Sequence, residues 1–301
     1  MAARSGQDTR QAAPRGPRAC HRAGMRPTPK GIVRLKACCD LDVVADEDCP
    51  VVAMLRPSSG QAQWIASGSY FLEPHVPSTE YVDAFGNLCQ RLLVPKGRMR
   101  IRVDAVVDTE AAIAVDLEAP RTSVQDLPDA ALQFLLQSRY CPSDRMGDQA
   151  EALVAGIRPG YAQVEAIRAW IHDHLTYKYG VSDQTTDALD TLAQGAGVCR
   201  DFAHVGIALC RALQVPARMV VGYLHKLDPM DLHAWFEAFV GGRWYTFDAT
   251  QDVPRGGRIV VAYGRDAADV AFLSNYGDLR TERLKVRVTE HRAEAPARLP
   301  D

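Results

Sequence analysis

Apolar positions recur along this chain with two periods, and the change from one to the other falls near residue 120. Between Ile32 and about Ala119 the spacing is that of strands. Ile101, Val103, Ala105 and Val107 alternate with Arg100, Arg102 and Asp104, which predicts a half-buried strand. Val51 to Leu55 is a short apolar run closed by Pro57, and Tyr81–Phe85 and Leu88–Val94 flank Gly86-Asn87, a hairpin signal. Several short strands with turn residues between them predict a β-sandwich. Pro120 to Pro128 reads as a boundary. Helical spacing follows, over 130–138, over 161–175 with Val164, Ile167, Ile171 and Leu175 on one face, and over 188–193. From Cys199 onward Phe202, Gly206, Leu209 and Leu213 form one predicted buried stripe, ended by Val215-Pro216. Strands are then predicted over 217–224, 232–240, 243–248 and 258–263, with an edge strand over 284–288.

Chemistry concentrates where that last helix begins. In Gly195-Ala196-Gly197-Val198-Cys199-Arg200-Asp201-Phe202-Ala203-His204 the cysteine sits at a helix N-terminus. Unpaired N–H groups and the helix dipole favour negative charge there, and the thiolate is the nucleophilic form of cysteine. The two glycines are expected to let the backbone approach a substrate closely. Downstream, Gly241-Gly242 reads as a two-residue hairpin turn between Leu232–Val240 and Arg243–Asp248. Val240 then pairs with Arg243, Trp235 lies opposite Asp248, and His233 lies opposite Thr250. Side chains alternate faces, so His233 and Asp248 become diagonal neighbours roughly 7–8 Å apart at the backbone, within reach of a hydrogen bond. A thiol, a base and a carboxylate to orient the base is the logic of an activated nucleophile.

Three runs carry a resemblance: G-V-C-R-D-F-A, H-A-W-F-E and G-G-R-W-Y-T-F-D-A-T. They resemble the core motifs of the transglutaminase-like superfamily, in its bacterial branch with a β-rich N-terminal region. The D-A-F-G-N-L-C-Q-R and Y-C-P-S-D runs are similar to that branch as well, so the likeness extends from about Ile32 to Gly277. The resemblance implies an α+β chain: a β-sandwich-like N-terminal domain, then a papain-like core in which a cysteine-bearing helix packs on an antiparallel sheet. The expected organisation is a basic disordered tail over 1–30, a β-rich domain over 31–119, a catalytic domain over 120–290 and a disordered tail over 291–301. Met25, just ahead of the folded pattern, is a candidate for a later start.

Composition narrows the partners. The 301 residues are 47% hydrophobic with a net charge of −2, which makes no electrostatic case for nucleic acid or a membrane surface. No apolar run approaches the ~20 residues of a membrane span. The 8 cysteines show no C-x-x-C spacing, so neither a zinc site nor another cofactor is expected, and without a secretory signal the expected setting is the cytoplasm. Adjacent Cys38 and Cys39 point to opposite faces of a strand and are read as structural. His204 and His174 are likewise read as structural, as is Asp201, which would oppose a thiolate.

The expected chemistry is acyl transfer. Cys199 attacks a peptide or carboxamide carbonyl, His233 moves the proton, and Asp248 fixes the imidazole. The Cys199 N–H is one oxyanion donor. The resemblance implies a second donor upstream, for which Tyr179 is the candidate. Trp235 and Trp244 share the His233 face and either wall the site against water or pack the sheet. The sequence shows none of the downstream β-domains of the large animal crosslinking enzymes, and the reading favours a cysteine peptidase or amidase acting on a protein or peptide. Amine transfer of the transglutaminase type is the alternative, and an idle binding module the third.

Overall fold

A computed structural model describes residues 31–60 and 63–291; the expected terminal tails over 1–30 and beyond 291 lie outside the described residues. Six strands open the chain: β1 (Ile32–Ala45), β2 (Cys49–Ala53), β3 (Gln63–Glu73), β4 (Ser78–Val82), β5 (Leu88–Val94) and β6 (Gly97–Glu110). In β6 the odd residues from Met99 to Thr109 are buried and the even ones lean outward, so one face packs a core and the other carries charge. The β4–β5 hairpin forms, but not around a two-residue Gly86-Asn87 turn. Val82 pairs with Leu88, leaving a five-residue loop. The Asp83 carboxylate organises that loop by accepting the N–H groups of Phe85 and Asn87, each at 2.8 Å.

The helices are α1 (Asp129–Leu132), α2 (Gly147–Leu153), α3 (Tyr161–His174), α4 (Ala188–Gln194) and α5 (Cys199–Ala212). The helix expected over 130–138 is shorter than its pattern: after α1 comes a single 3₁₀ turn over Gln133–Leu135. Only Ala131 and Phe134 are buried there while Leu132 and Leu136 are exposed, too narrow an apolar face to hold further turns. Two short strands, β7 (Thr176–Tyr177) and β8 (Ala196–Gly197), pair in parallel and bring the segment after α3 beside the start of α5. Strands β9 (Ala217–Leu224), β10 (Leu232–Val240), β11 (Arg243–Phe247) and β12 (Arg258–Gly264) make one antiparallel sheet in the order β11-β10-β9-β12.

Helix α5 lies against β10 and β9. Every residue from Asp201 to Arg211 is buried, so the expected single stripe is in fact a helix enclosed on all sides, with α2, α3 and α4 covering what the sheet does not. Gly206 sets the helix–sheet distance. A Cβ there would meet the Phe236 ring at 2.5 Å. The chain then returns to its beginning: β13 (Leu273–Asn275) pairs with β2, and β14 (Leu279–Glu290) runs along β1. The two N-terminal sheets are therefore β14-β1-β6-β3 and β13-β2-β5-β4. Residues 273–290, expected with the catalytic domain, complete the N-terminal sheets instead, because β1 would otherwise expose an unpaired edge.

The sandwich docks on the far face of the catalytic sheet through the free edge of β12. Gln63 donates to the Val260 carbonyl at 2.7 Å and accepts its N–H at 2.8 Å. Asn87 does the same for Tyr263, at 2.7 and 2.8 Å. Two side-chain amides thus stand in for a missing neighbour strand. No helix among the described residues is long and apolar enough to cross a membrane.

Candidate active site

Cys199 is the first residue of α5 and is half-buried. The turn that delivers it is built by the two preceding glycines, though neither faces a substrate. Gly195 takes a left-handed φ of 65° to end α4. Gly197 leaves room for Asp201, whose Cβ would lie 2.7 Å from a Cβ at 197. Asp201 is fully buried. Its carboxylate accepts the Val198 N–H at 2.9 Å, the Ser182 hydroxyl at 2.5 Å and the Arg200 Nε at 3.0 Å. Val198 offers no side-chain acceptor, so this one carboxylate closes the helix start and fixes the backbone on either side of Cys199.

The candidate base comes from the hairpin. The ladder runs Val240↔Arg243 to Phe236↔Phe247, the register that the Gly241-Gly242 turn predicts. Continued beyond Phe247 it sets Asp248 diagonally from His233, and the His233 Nε2 meets an Asp248 oxygen at 2.7 Å. The other Asp248 oxygen accepts the Thr250 N–H at 3.0 Å and its hydroxyl at 2.7 Å. With Nε2 so engaged, the nitrogen left to meet the Cys199 thiol, which also acts on this imidazole, is Nδ1. Burial disfavours the imidazolium, but Asp248 and then Cys199 outweigh it, raising the His233 pKa to about 9. Asp248 shows the same contest. Burial opposes its charge, while His233, Arg258 and Thr250 together hold it far below the usual carboxylate range.

Arg258, at the start of β12, also reaches this carboxylate. Its Nη2 lies 2.8 Å from the Asp248 oxygen that His233 uses, and its guanidinium lies over the Trp235 ring, 4.8 Å from the centroid. His233, Asp248 and Arg258 are only 3%, 5% and 6% exposed. Nothing in the local sequence pointed to Arg258: a lone arginine before an apolar strand reads as a polar strand end.

The tyrosine nearest the thiol is Tyr177, not Tyr179. Burial, Cys199 and Tyr179 together push the pKa of its hydroxyl up. Tyr179 stands further out, 57% exposed, with its ring edge-on to Tyr177 at 5.5 Å. The end of the short strand β7 accounts for the difference, since its pairing sets Tyr177 beside Gly197 and the helix start while Tyr179 falls beyond its end. Trp235 is buried behind His233, 6.0 Å from it between ring centroids. Trp244 packs on Phe134, Phe239 and Arg218. Neither tryptophan walls the mouth of the site.

Other titratable groups stand apart. His204 is fully buried, stacked on Tyr140 at 5.0 Å and accepting the Ala267 N–H at 3.2 Å. Burial, helped by Arg200 and Arg211, pushes its pKa down to about 3 and keeps it neutral. His174 stacks on Trp170 at the end of α3. Burial pushes the Cys141 and Cys39 thiols up to about 12, and burial with Asp104 pushes Cys38 up to about 11. A cavity of about 730 Å³ opens on the same sheet face as His233, between Arg218, Glu237, Trp244 and Tyr263. It begins beyond Trp235, some four residues or ~13 Å along β10, and Cys199 does not line it. No group of three or more His, Cys, Asp or Glu among the described residues could hold a metal ion.

Comparison with known proteins places this arrangement in a family. The sequence model of the transglutaminase-like superfamily matches residues 148–249. An uncharacterised protein of Mycobacterium leprae is 31% identical over 235 residues, covering 73% of this chain and 84% of that protein. The chain belongs to the transglutaminase-like superfamily. An uncharacterised Mycobacterium tuberculosis protein is 30% identical over 218 residues, 62% of this chain and 68% of its own length. The crystal structure of a candidate cysteine protease from Cytophaga hutchinsonii superimposes with a TM-score of 0.83 at 34% identity, covering 90% of this chain and 95% of that one. The likeness thus includes the N-terminal sandwich as well as the transglutaminase-like core. The span matched by the superfamily contains Cys199, His233 and Asp248 and ends before Arg258.

Proposed function

We propose that this protein is a cysteine peptidase or amidase that cleaves a peptide or carboxamide bond through a thioester. The observation that carries the reading is the juxtaposition of a helix-start thiol with a buried imidazole held by a carboxylate. The thiol proton of Cys199 passes to His233 Nδ1, and the sulfur adds to the substrate carbonyl. The oxygen that gains charge is met by the Cys199 N–H at the helix terminus and by the Tyr177 hydroxyl. The C–N bond breaks as the imidazolium gives its proton to the leaving amine, leaving an acyl-thioester. Water, deprotonated by His233, attacks the thioester. The acid leaves and the thiol regains its proton. Asp248 holds the ring in one tautomer and stabilises the imidazolium at both stages.

Hydrolysis is favoured over amine transfer because neither tryptophan that could have excluded water stands over Cys199: Trp235 is buried behind His233, and Trp244 lies at the separate cavity. The candidate protease from Cytophaga hutchinsonii points the same way. A reducing, cytoplasmic setting belongs to this reading, since it keeps Cys199 a free thiol. The test offers glutamine-containing peptides with and without a labelled primary amine, and identifies products and the trapped acyl-enzyme by mass spectrometry. Acid product on both counts, with the acyl group on Cys199, is the expected result. Efficient amine incorporation would establish transfer instead, and no acyl-enzyme with any peptide would leave the binding module.

A further inference from the structure

Arg258 is the group in this site that the thiol–imidazole–carboxylate logic does not require. Its guanidinium is buried, bonds the same Asp248 oxygen as His233, and is fixed from behind, with Nε donating to the Arg255 carbonyl at 3.0 Å. The backbone is pinned too, since the Thr109 hydroxyl donates to the Arg258 carbonyl at 2.7 Å. Nη1 is buried without a hydrogen-bond partner. An orphaned buried donor is destabilising, a cost that a well-packed apolar side chain would avoid. What the arginine supplies and an apolar residue cannot is a fixed positive charge.

We propose that Arg258 is a positioning residue whose charge, acting through Asp248, sets the pH range over which the Cys199–His233 pair is reactive. This rests on the reading of Cys199 as the nucleophile. With Arg258 present, the guanidinium and the Asp248 carboxylate cancel. Proton transfer from Cys199 to His233 then takes place beside a neutral pair, and the product ions cancel one another. Without Arg258 the buried carboxylate is uncompensated. Removing a positive charge makes every nearby acid hold its proton more tightly. The thiol then ionises at higher pH, and the imidazolium survives to higher pH, so both limbs of the reactivity profile move in the alkaline direction.

The other charged and titratable groups around the cluster do not offer the same control. Tyr177 meets the Cys199 end rather than Asp248. Glu165 and Arg168 of α3, which line the small space beside Asp248 and Arg258, are paired with each other at 2.8 Å. Tyr161 lies there as well, its phenol pushed well above its ordinary pKa by burial and so uncharged. Arg255 directs its guanidinium to the Lys226 carbonyl, at 3.3 Å.

The experiment measures the rate of Cys199 alkylation by iodoacetamide as a function of pH in the wild type, Arg258→Gln and Arg258→Lys, with adducts located by mass spectrometry. The Gln profile is expected to lie about 1 pH unit above that of the wild type. The Lys profile, which keeps the charge but not the fork or the stacking on Trp235, is expected to coincide with the wild type. A Gln profile lowered in height but unmoved along the pH axis would overturn the proposal and leave Arg258 a packing residue. Should the Gln variant fail to fold, the Lys variant decides: a profile in place supports control by charge, and a displaced one overturns it. Wild-type labelling that does not prefer Cys199 would instead defeat the reading of the nucleophile, a separate result.

Discussion

The two halves of the site are built to opposite rules. His233, Asp248 and Arg258 are nearly sealed and linked by hydrogen bonds of 2.7–2.8 Å. Cys199 is half-buried, and beside it Tyr177 and Tyr179 are 42% and 57% exposed. Burial is the cause on one side: a hydrogen-bonded ion pair away from water holds one geometry, and loss of a partner leaves an uncompensated charge. Access is the cause on the other, since in the proposed reaction a carbonyl must reach the sulfur and then water must reach the thioester. The half that orients the proton is rigid by construction, and the half that meets substrate is open.

Asp248→Asn breaks the sealed half most severely. The amide can hold neither the imidazolium nor Arg258, and turnover is expected to fall by ~10³–10⁴-fold, with a stability loss of ~3–5 kcal/mol by denaturant unfolding. A loss confined to turnover, with stability intact, would show that the carboxylate is not the buried hub described above. On the open half, Tyr177→Phe removes a hydroxyl and little packing. We expect kcat to fall by ~10²-fold and KM to change little, while Tyr179→Phe stays within a few-fold. Equal effects from the two tyrosines would return the donor role to Tyr179 or to neither.

A smaller effect sharpens the contrast through pH. His233 has a folded pKa raised to about 9 from 6.5, so its contribution to stability is complete below pH 6.5 and is lost as pH rises toward 9. Asp248, lowered from 3.8, contributes above that value and loses its contribution as pH falls below it. Thermal unfolding of the wild type should therefore peak between about pH 4 and 6.5, and His233→Gln should flatten the decline between 6.5 and 9. A parallel decline in the variant would mean that other groups set it.

Much of this was legible in the chain because local rules act over short spans. Gly241-Gly242 dictates a turn, the turn dictates the register, and the register brings His233 to Asp248. Gly195 and Val215-Pro216 mark where the cysteine helix can begin and end. What escaped depends on contacts distant in sequence. Asn87 looked like a turn residue, yet its amide is committed to Tyr263, 176 positions away. The strand after Leu279 looked like an edge of the catalytic part until β1 supplied its partner. Arg258 is meaningful only through Asp248, ten residues upstream across an irregular loop, and no spacing rule covers that. Tyr177 and Tyr179 are equivalent in sequence, and only the pairing of β7 with β8 separates them.

The central claim is that, among the described residues, Cys199 is the one thiol activated by a buried base. Cys39, Cys49, Cys89, Cys141 and Cys210 are buried, and Cys38 is tied to Asp104 at 2.7 Å. Native protein treated with limiting iodoacetamide near neutral pH, then digested and mapped, reads this directly. The expected adduct is on Cys199, with labelling slowed ~10²-fold or more in His233→Ala. Preferential labelling of Cys38, or a Cys199 rate indifferent to His233, would contradict the account.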